Sequence, residues 1–313
     1  MILFRASDFA INMLNVYEAV AINKRKTWVV MIFFVMFIVI AAYIFSRAMG
    51  VGGLGFVGWA LIISGIISFA SYWWSDKIIL SISGARPASK KEDFLFYTAT
   101  ENLCLAANLP KPKLYVIEDT AMNAFATGRD PKHAVVCATT GLISKLDRTE
   151  LEGVVGHELT HIKNYDIRLM SIVTILVGMV TLLADLFLRS TLFGRKGSKD
   201  SGQLGVVIMV LAFALALLSP IVAKLIQLAI SRRAEFSADA GSVMITRQPA
   251  GLISALKKLS VDREPLEAAN KATAHLYIVN PLRNLHSGVG WFAKMFNTHP
   301  PVNQRIKALE KMI

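Results

Sequence analysis

Cysteine is scarce in this chain. Cys104 and Cys137 are its two, far apart, with no C-x-x-C and no Cys/His zinc spacing. That excludes a disulfide framework and a zinc ribbon, and leaves each thiol as a small buried apolar group in a reducing compartment. Negative charge is also in short supply: 22 Asp and Glu stand against 34 Lys and Arg, a net charge of +12. No DNA- or RNA-binding signature accompanies the excess, so no nucleic-acid partner is expected; cytoplasm-facing and headgroup-facing cations account for it. A Gly-rich phosphate loop, a Ser-His-Asp order, internal repeats and low-complexity tracts are missing as well.

Charge is absent from long runs, and the chain is 54% hydrophobic. That is too apolar for an ordinary soluble protein and points to the membrane class. Residues 1–26 mix Phe4, Phe9, Leu14 and Val20 with Arg5, Asp8 and Glu18, as an amphipathic helix lying in the interface or docked on the rest of the protein would. Lys24-Arg25-Lys26 then precedes the uncharged run 27–46. A crossing needs about 20 residues, so this run and a second at about 56–74 form a transmembrane hairpin over 27–75. Tyr72, Trp73 and Trp74 close it as an aromatic belt. A second hairpin over 169–230 is expected from spans at about 169–188 and 204–224, the third being interrupted by Asp185. The basic cluster before the first span puts the N-terminus and both soluble parts, 77–168 and 232–313, in the cytoplasm. The expected fold is a mainly α membrane protein, four transmembrane helices plus an α+β catalytic domain with a small β-sheet.

Within 77–168, Lys113–Glu118 and Ala134–Thr139 read as strands, with Gly128-Arg129-Asp130-Pro131 as a turn before the second. On the residues alone Asn123-Ala124-Phe125-Ala126 reads as a connecting loop. Its small side chains would equally let a peptide lie along it as an added strand. Between Glu92 and Asn108, and again from Pro249 to Leu259, the pattern is helical.

The chemistry centres on Gly156-His157-Glu158-Leu159-Thr160-His161, an H-E-x-x-H. On a helix, positions i and i+4 share a face, so His157 and His161 can offer their rings to one cation. Glu158 beside them is placed to take a proton from water. Thr149 and Glu152 are spaced as a capping box ahead of the apolar face Leu151, Val154, Val155, Leu159, Ile162. Gly153 and Gly156 cost helix stability, about 1 kcal/mol each against Ala, which implies that another backbone passes close by. A catalytic zinc takes three protein ligands and keeps one position open. Glu235 is a candidate for the third, with Asp239 four residues on able to hold the far nitrogen of a ligating His. Glu235 could equally pair with Arg232 or Arg233 on a solvated helix.

Together His157-Glu158-Leu159-Thr160-His161, the four-span pattern, Arg233-Ala234-Glu235-Phe236-Ser237-Ala238-Asp239-Ala240 and Thr298-His299-Pro300-Pro301 with Arg305 resemble the HtpX-type membrane zinc metalloproteases, from about residue 23 to 313. That family belongs to the wider group that includes the CAAX prenyl endopeptidases. The resemblance implies a zincin-like catalytic domain with one zinc per chain, Glu235 as third ligand and Asp239 as its partner. It places Asn123, Ala124, Phe125 and Ala126 along the substrate cleft, and makes His299 and Arg305 candidates for stabilising an oxyanion. It further implies cleavage of damaged or misassembled membrane proteins at the inner face of a bacterial-type cell membrane, with membrane quality-control partners. Prenyl-protein processing is the alternative activity. A non-enzymatic metal-binding scaffold or transporter is the alternative class, though only Asp185 and Lys224 bring charge near the spans, and both lie toward span ends.

Overall fold

The computed structural model describes residues 6–49, 53–193, 232–262, 264, 266, 273, 276–278 and 300–313. Its first element removes an expected boundary. Helix α1 (Ala6–Met49) passes unbroken through Lys24, Arg25 and Lys26, so the amphipathic stretch and the first apolar run are one rod. No Gly or Pro lies between Ala6 and Met49 to stop it. Helix α2 (Gly53–Ile82) returns alongside, bent at Trp74, where φ −121° and ψ 19° leave the helical range. Trp28 near the start of the first apolar run stacks on Tyr72 near the end of the second, with ring centroids 6.3 Å apart, as a hairpin requires. Trp28, Ile32, Ile40, Trp59, Ile62 and Ile66 on this pair are each more than half exposed, a greasy surface of the kind lipid covers.

By length and composition, Val57–Ile82 is the one segment among the described residues able to cross a membrane. The other three expected spans do not reach that standard among the described residues, the first, 27–46, being part of α1. Helix α6 (Asp166–Phe193) begins ahead of the third, and Leu169, Ile172, Val173, Leu176 and Val177 are buried in protein against Val30, Phe34 and Ile79. The fourth, 204–224, lies outside the described residues.

Beyond α2 the chain is built on a four-stranded sheet: β1 (Arg86–Pro87), β2 (Lys113–Ile117), β3 (Ala124–Gly128) and β4 (Ala134–Thr139), ordered β1-β2-β4-β3. β2 and β4 are parallel; β3 returns antiparallel to β4 and forms an edge. The 123–126 stretch is therefore chiefly strand rather than loop. The turn after β3 needs glycine: Gly128 has φ 134°, and a Cβ there would sit 2.3 Å from the His133 carbonyl oxygen. Helix α3 (Phe94–Ala107) closes on Asn108 in the left-handed region, and the short α4 (Thr140–Lys145) is capped by the Thr139 hydroxyl. Cys104 and Cys137 are unpaired and buried; burial pushes the Cys104 thiol up to about 11, so it stays protonated.

Helix α5 (Arg148–Lys163) carries the H-E-x-x-H. Its capping box is Asp147 with Glu150, two residues earlier than the Thr149–Glu152 spacing suggested. The choice is made outside the helix: Lys258 Nζ donates to Glu150 at 2.7 Å and the Ser254 hydroxyl at 2.6 Å, while Glu152 pairs with Arg148 on the surface. Helices α7 (Arg232–Thr246), α8 (Pro249–Val261) and α9 (Val302–Glu310) follow, and α5 packs along α7 and α8.

Candidate metal centre

Helix geometry sets His157 and His161 one turn apart, both at the heart of the protein with exposures of 1% and 4%. Their Nε2 atoms face each other at 3.1 Å. Two nitrogens on one tetrahedral zinc, each at about 2.0–2.1 Å, stand roughly 3.3 Å apart. Glu235 arrives from α7, its carboxylate oxygens 3.7 Å from His157 Nε2 and 3.6 Å from His161 Nε2. The three ligand atoms lie within 4.8 Å of one another.

The approach of α7 depends on small residues. A Cβ on Gly156 would come within 3.3 Å of Ser242 Cα, and the Ser242 hydroxyl donates 2.6 Å to the Gly153 carbonyl oxygen. A Cβ on Gly153 would meet the backbone nitrogen of Leu252 at 2.7 Å. These are the close backbones that the two glycines imply.

Behind each imidazole stands a carboxylate. His157 Nδ1 lies 2.9 Å from Asp239 Oδ1, and His161 Nδ1 lies 2.9 Å from Asp166 Oδ2. With both Nδ1–H groups donating backwards, both Nε2 atoms are turned to the shared point, where a cation would take their lone pairs. Sequence reasoning anticipated Asp239 and missed Asp166. The available signal was an acid five residues beyond the second histidine, where the chain turns from α5 into α6.

Arg305 is fully buried on the far side of Asp239. Its Nε and Nη2 donate to that carboxylate at 2.8 and 2.6 Å, its Nη1 donates to the Ile278 carbonyl oxygen at 3.3 Å, and Nη1 also lies 3.3 Å from Glu235 Oε2. The guanidinium is thus engaged as a clamp on the two acids, a different post from the oxyanion donor expected of it. His299, the companion candidate, lies outside the described residues.

The electrostatics fit a cation. Glu158, Asp166, Glu235 and Asp239 are four buried carboxylates set about the two imidazoles, and one buried guanidinium, Arg305, pairs with Glu235 and Asp239. Burial, with the Arg305 charge beside it, holds His157 down to about 4. Burial depresses His161 too, yet the Asp166 hydrogen bond and charge, with Glu235 and Glu158, outweigh it and lift the ring to about 9. A proton there partly offsets the acids, as a divalent ion held by two imidazoles and a carboxylate would more fully. Burial raises Glu158 to about 7, within the range of a general base at neutral pH.

The edge strand lines this centre. Asn123 is buried, its side-chain oxygen accepting from Ala124 N at 3.1 Å. Thr139 N donates to the Asn123 carbonyl oxygen, so Phe125 pairs with Cys137 and the polar groups of Ala124 and Ala126 turn to the unpaired edge. There the Ala126 N–H holds the Glu158 carboxylate, and the Ala124 carbonyl oxygen accepts from Ile278 N at 3.1 Å. Phe125 packs edge-on against Tyr277, 5.2 Å between centroids.

Comparison with known proteins bears on this geometry. The family model for peptidase family M48 matches residues 97–313. A protease HtpX homolog from Dictyoglomus thermophilum is 42% identical over 95% of this chain and 94% of its own length. Others named in the same way come from Caldanaerobacter subterraneus subsp. tengcongensis, at 40% identity over 95% of this chain and 98% of the relative, and from Streptococcus pneumoniae, at 38% over 95% and 99%. Among solved structures, the crystal structure of S. mikatae Ste24p aligns over 86% of this chain and 62% of that one, with a TM-score of 0.48 and 17% identity. A family match over more than half the chain, with such relatives along nearly all of it, settles the kinship: this chain belongs to peptidase family M48, as a metalloprotease homologous to HtpX.

Proposed function

We propose that this protease is a zinc-dependent endopeptidase of the cell membrane that cuts misfolded or damaged membrane proteins at the cytoplasmic face. The observation that carries the reading is the meeting of His157, His161 and Glu235 around one point, with Glu158 beside it. His157, His161 and Glu235 would hold one zinc per chain, as the donor set of two imidazoles and a carboxylate suits. When bound, zinc supplies Lewis acidity to water and to the scissile carbonyl.

The rest falls to the chain's own residues. Glu158, steadied by the Ala126 N–H, takes the proton of the attacking water and later delivers it to the leaving amine. Asp239 and Asp166 hold the imidazole tautomers, and Arg305 holds Asp239 and Glu235 in place. An extended peptide laid along the edge of β3 would pair mainly by main-chain hydrogen bonds, a mode tolerant of sequence, and to do so it would take over the Ala124 carbonyl oxygen from Ile278 N. Tolerance of that kind suits substrates defined by damage.

The membrane reading rests on the outward apolar face of α1 and α2, and the cytoplasmic orientation on Lys24-Arg25-Lys26. In this reading 77–168 and 232–313 are two halves of one catalytic unit between membrane hairpins at 27–75 and 169–230, and quality-control partners would deliver substrates.

Cleavage of a membrane-protein substrate, set against a farnesylated peptide, tests the assignment. Wild type should cut the former, and Glu158→Gln should keep its zinc while losing on the order of 10²–10⁴ in rate. Preference for the farnesylated peptide would replace the quality-control reading with prenyl-protein processing. Unchanged turnover in Glu158→Gln would remove the assigned base.

A further inference from the structure

We propose that Asn23, on the first helix, is a positioning residue for the metal centre, so that this helix holds one ligand of the zinc through a two-bond relay. The inference rests on the metal reading above. Asn23 is 8% exposed, and its amide nitrogen makes two hydrogen bonds. One goes to Asp166 Oδ1 at 2.6 Å, the other to the Asn164 carbonyl oxygen at 3.0 Å. Two acceptors on one atom fix the amide orientation, since only the NH2 group can serve both.

Each bond has a consequence at the site. Asn164 caps the C-terminus of α5, the helix that bears both histidines, and its carbonyl is among the last of that helix. Asp166 opens α6, and its other oxygen holds His161 Nδ1 at 2.9 Å. Between them Tyr165 sits at φ 61°, a left-handed conformation that a non-glycine residue keeps only when its surroundings impose it. Lys24, the next residue on α1, lies 4.6 Å over the Tyr165 ring. Two consecutive residues of α1 therefore grip the turn whose shape aims the carboxylate that aims His161. Holding Oδ1 limits how far the Asp166 carboxylate can swing and so keeps Oδ2 on His161 Nδ1, and a buried oxygen left unbound would be costly.

A side chain that only packed α1 against α6 would affect folding and nothing else. A positioning role predicts an effect on metal affinity that passes through Asp166. Outer-shell partners of metal-binding histidines cost about 10- to 100-fold in affinity when removed. The test is zinc competition with a chromophoric chelator, on the full chain in detergent, for wild type, Asn23→Ala, Asp166→Ala and the double variant. Asn23→Ala should weaken zinc within that range, shift the visible spectrum of the cobalt-loaded protein, and add nothing further once Asp166 is Ala. Wild-type affinity in Asn23→Ala, or a loss that persists undiminished in the Asp166→Ala background, overturns the relay. If Asn23→Ala does not fold, Asn23→Ser, too short to reach both acceptors, is read in the same way. A lowered unfolding temperature of the zinc-free protein with affinity unchanged assigns Asn23 to packing alone and overturns it too. Failure of wild type to bind one zinc, or binding indifferent to His157→Ala, removes the metal centre itself and the relay with it.

Discussion

At the scale of single residues, Arg305 shows most plainly how buried charge organises the site. It is the largest fully buried side chain among the described residues, and it touches two of the acids that ring the metal position. Burial works against its charge, but Asp239 and Glu235 more than restore it, raising the guanidinium further above its ordinary range. Arg305→Met would leave those carboxylates without their cation, a loss of about 3–5 kcal/mol for a broken buried pair. Thermal unfolding of the zinc-free protein should show it, and saturating zinc should recover part of the loss by supplying positive charge from the other side. Equal destabilisation with and without zinc would mean that the clamp and the metal do not share the acids. From the sequence, Arg305 could be seen only through a resemblance, which suggested a place before the substrate. Asp239, which it grips with two bonds, lies 66 residues away in the chain, and no local pattern records the pairing. His157, His161 and Glu158 were legible because one helical turn contains them. Asp166 was not, because its aim depends on Tyr165 turning left-handed and on Asn23 from another helix.

Elements were legible where periodicity and breakers agree, as in β2, β4 and α8, and misread where two signals of equal strength compete. The start of α5 is such a case. Asp147-x-x-Glu150 and Thr149-x-x-Glu152 both have capping-box spacing, and Lys258 and Ser254 on α8 decide between them. Asp147→Ala should therefore lower the unfolding midpoint more than Thr149→Ala, whose hydroxyl only donates to Asp147 at 2.7 Å. Gly153 offers a sharper trial of the same packing. Alanine is the better helix former by about 1 kcal/mol, so a helix free of neighbours would gain from the change. Here the new methyl meets Leu252 backbone at 2.7 and 2.8 Å, atoms that cannot rotate aside. Gly153→Ala should cost about 1–3 kcal/mol of stability by overpacking. A stabilised variant in a denaturation series would show that α8 yields, and with it the frame that holds α5 against α7.

For the molecule as a whole, the metal position is where sequence-distant parts converge. His157 and His161 lie in the half that precedes α6, Glu235 in the half beyond the undescribed 194–231, and Asn23 on the helix that opens the chain. The sequence showed the two soluble halves as separate stretches; it could not show that α7 lies along α5, because that contact depends on Gly156, Ser242 and the Ser242–Gly153 bond rather than on any repeat or run. It also divided α1 at residue 26 by composition, whereas a backbone with no breaker continues regardless of what its side chains face. Removing the metal should thus be felt beyond the active site. Without a dication, Glu158 on α5 and Glu235 on α7 raise each other's energy, with Arg305 and whatever proton His161 can hold as the positive charge at hand, so repulsion acts across the α5–α7 seam. A chelator should abolish proteolysis and lower the unfolding temperature together. Zinc at about 100 times its Kd should restore roughly 2.7 kcal/mol, the linkage expected of a ligand that binds only the folded state. Hydrogen exchange would locate the effect: α7 and the α5–α6 turn should lose protection on chelation while β2 and β4 keep theirs. Loss of activity with no change in midpoint or exchange would mean that the seam is held by packing alone, and that the cation contributes chemistry without contributing to the fold.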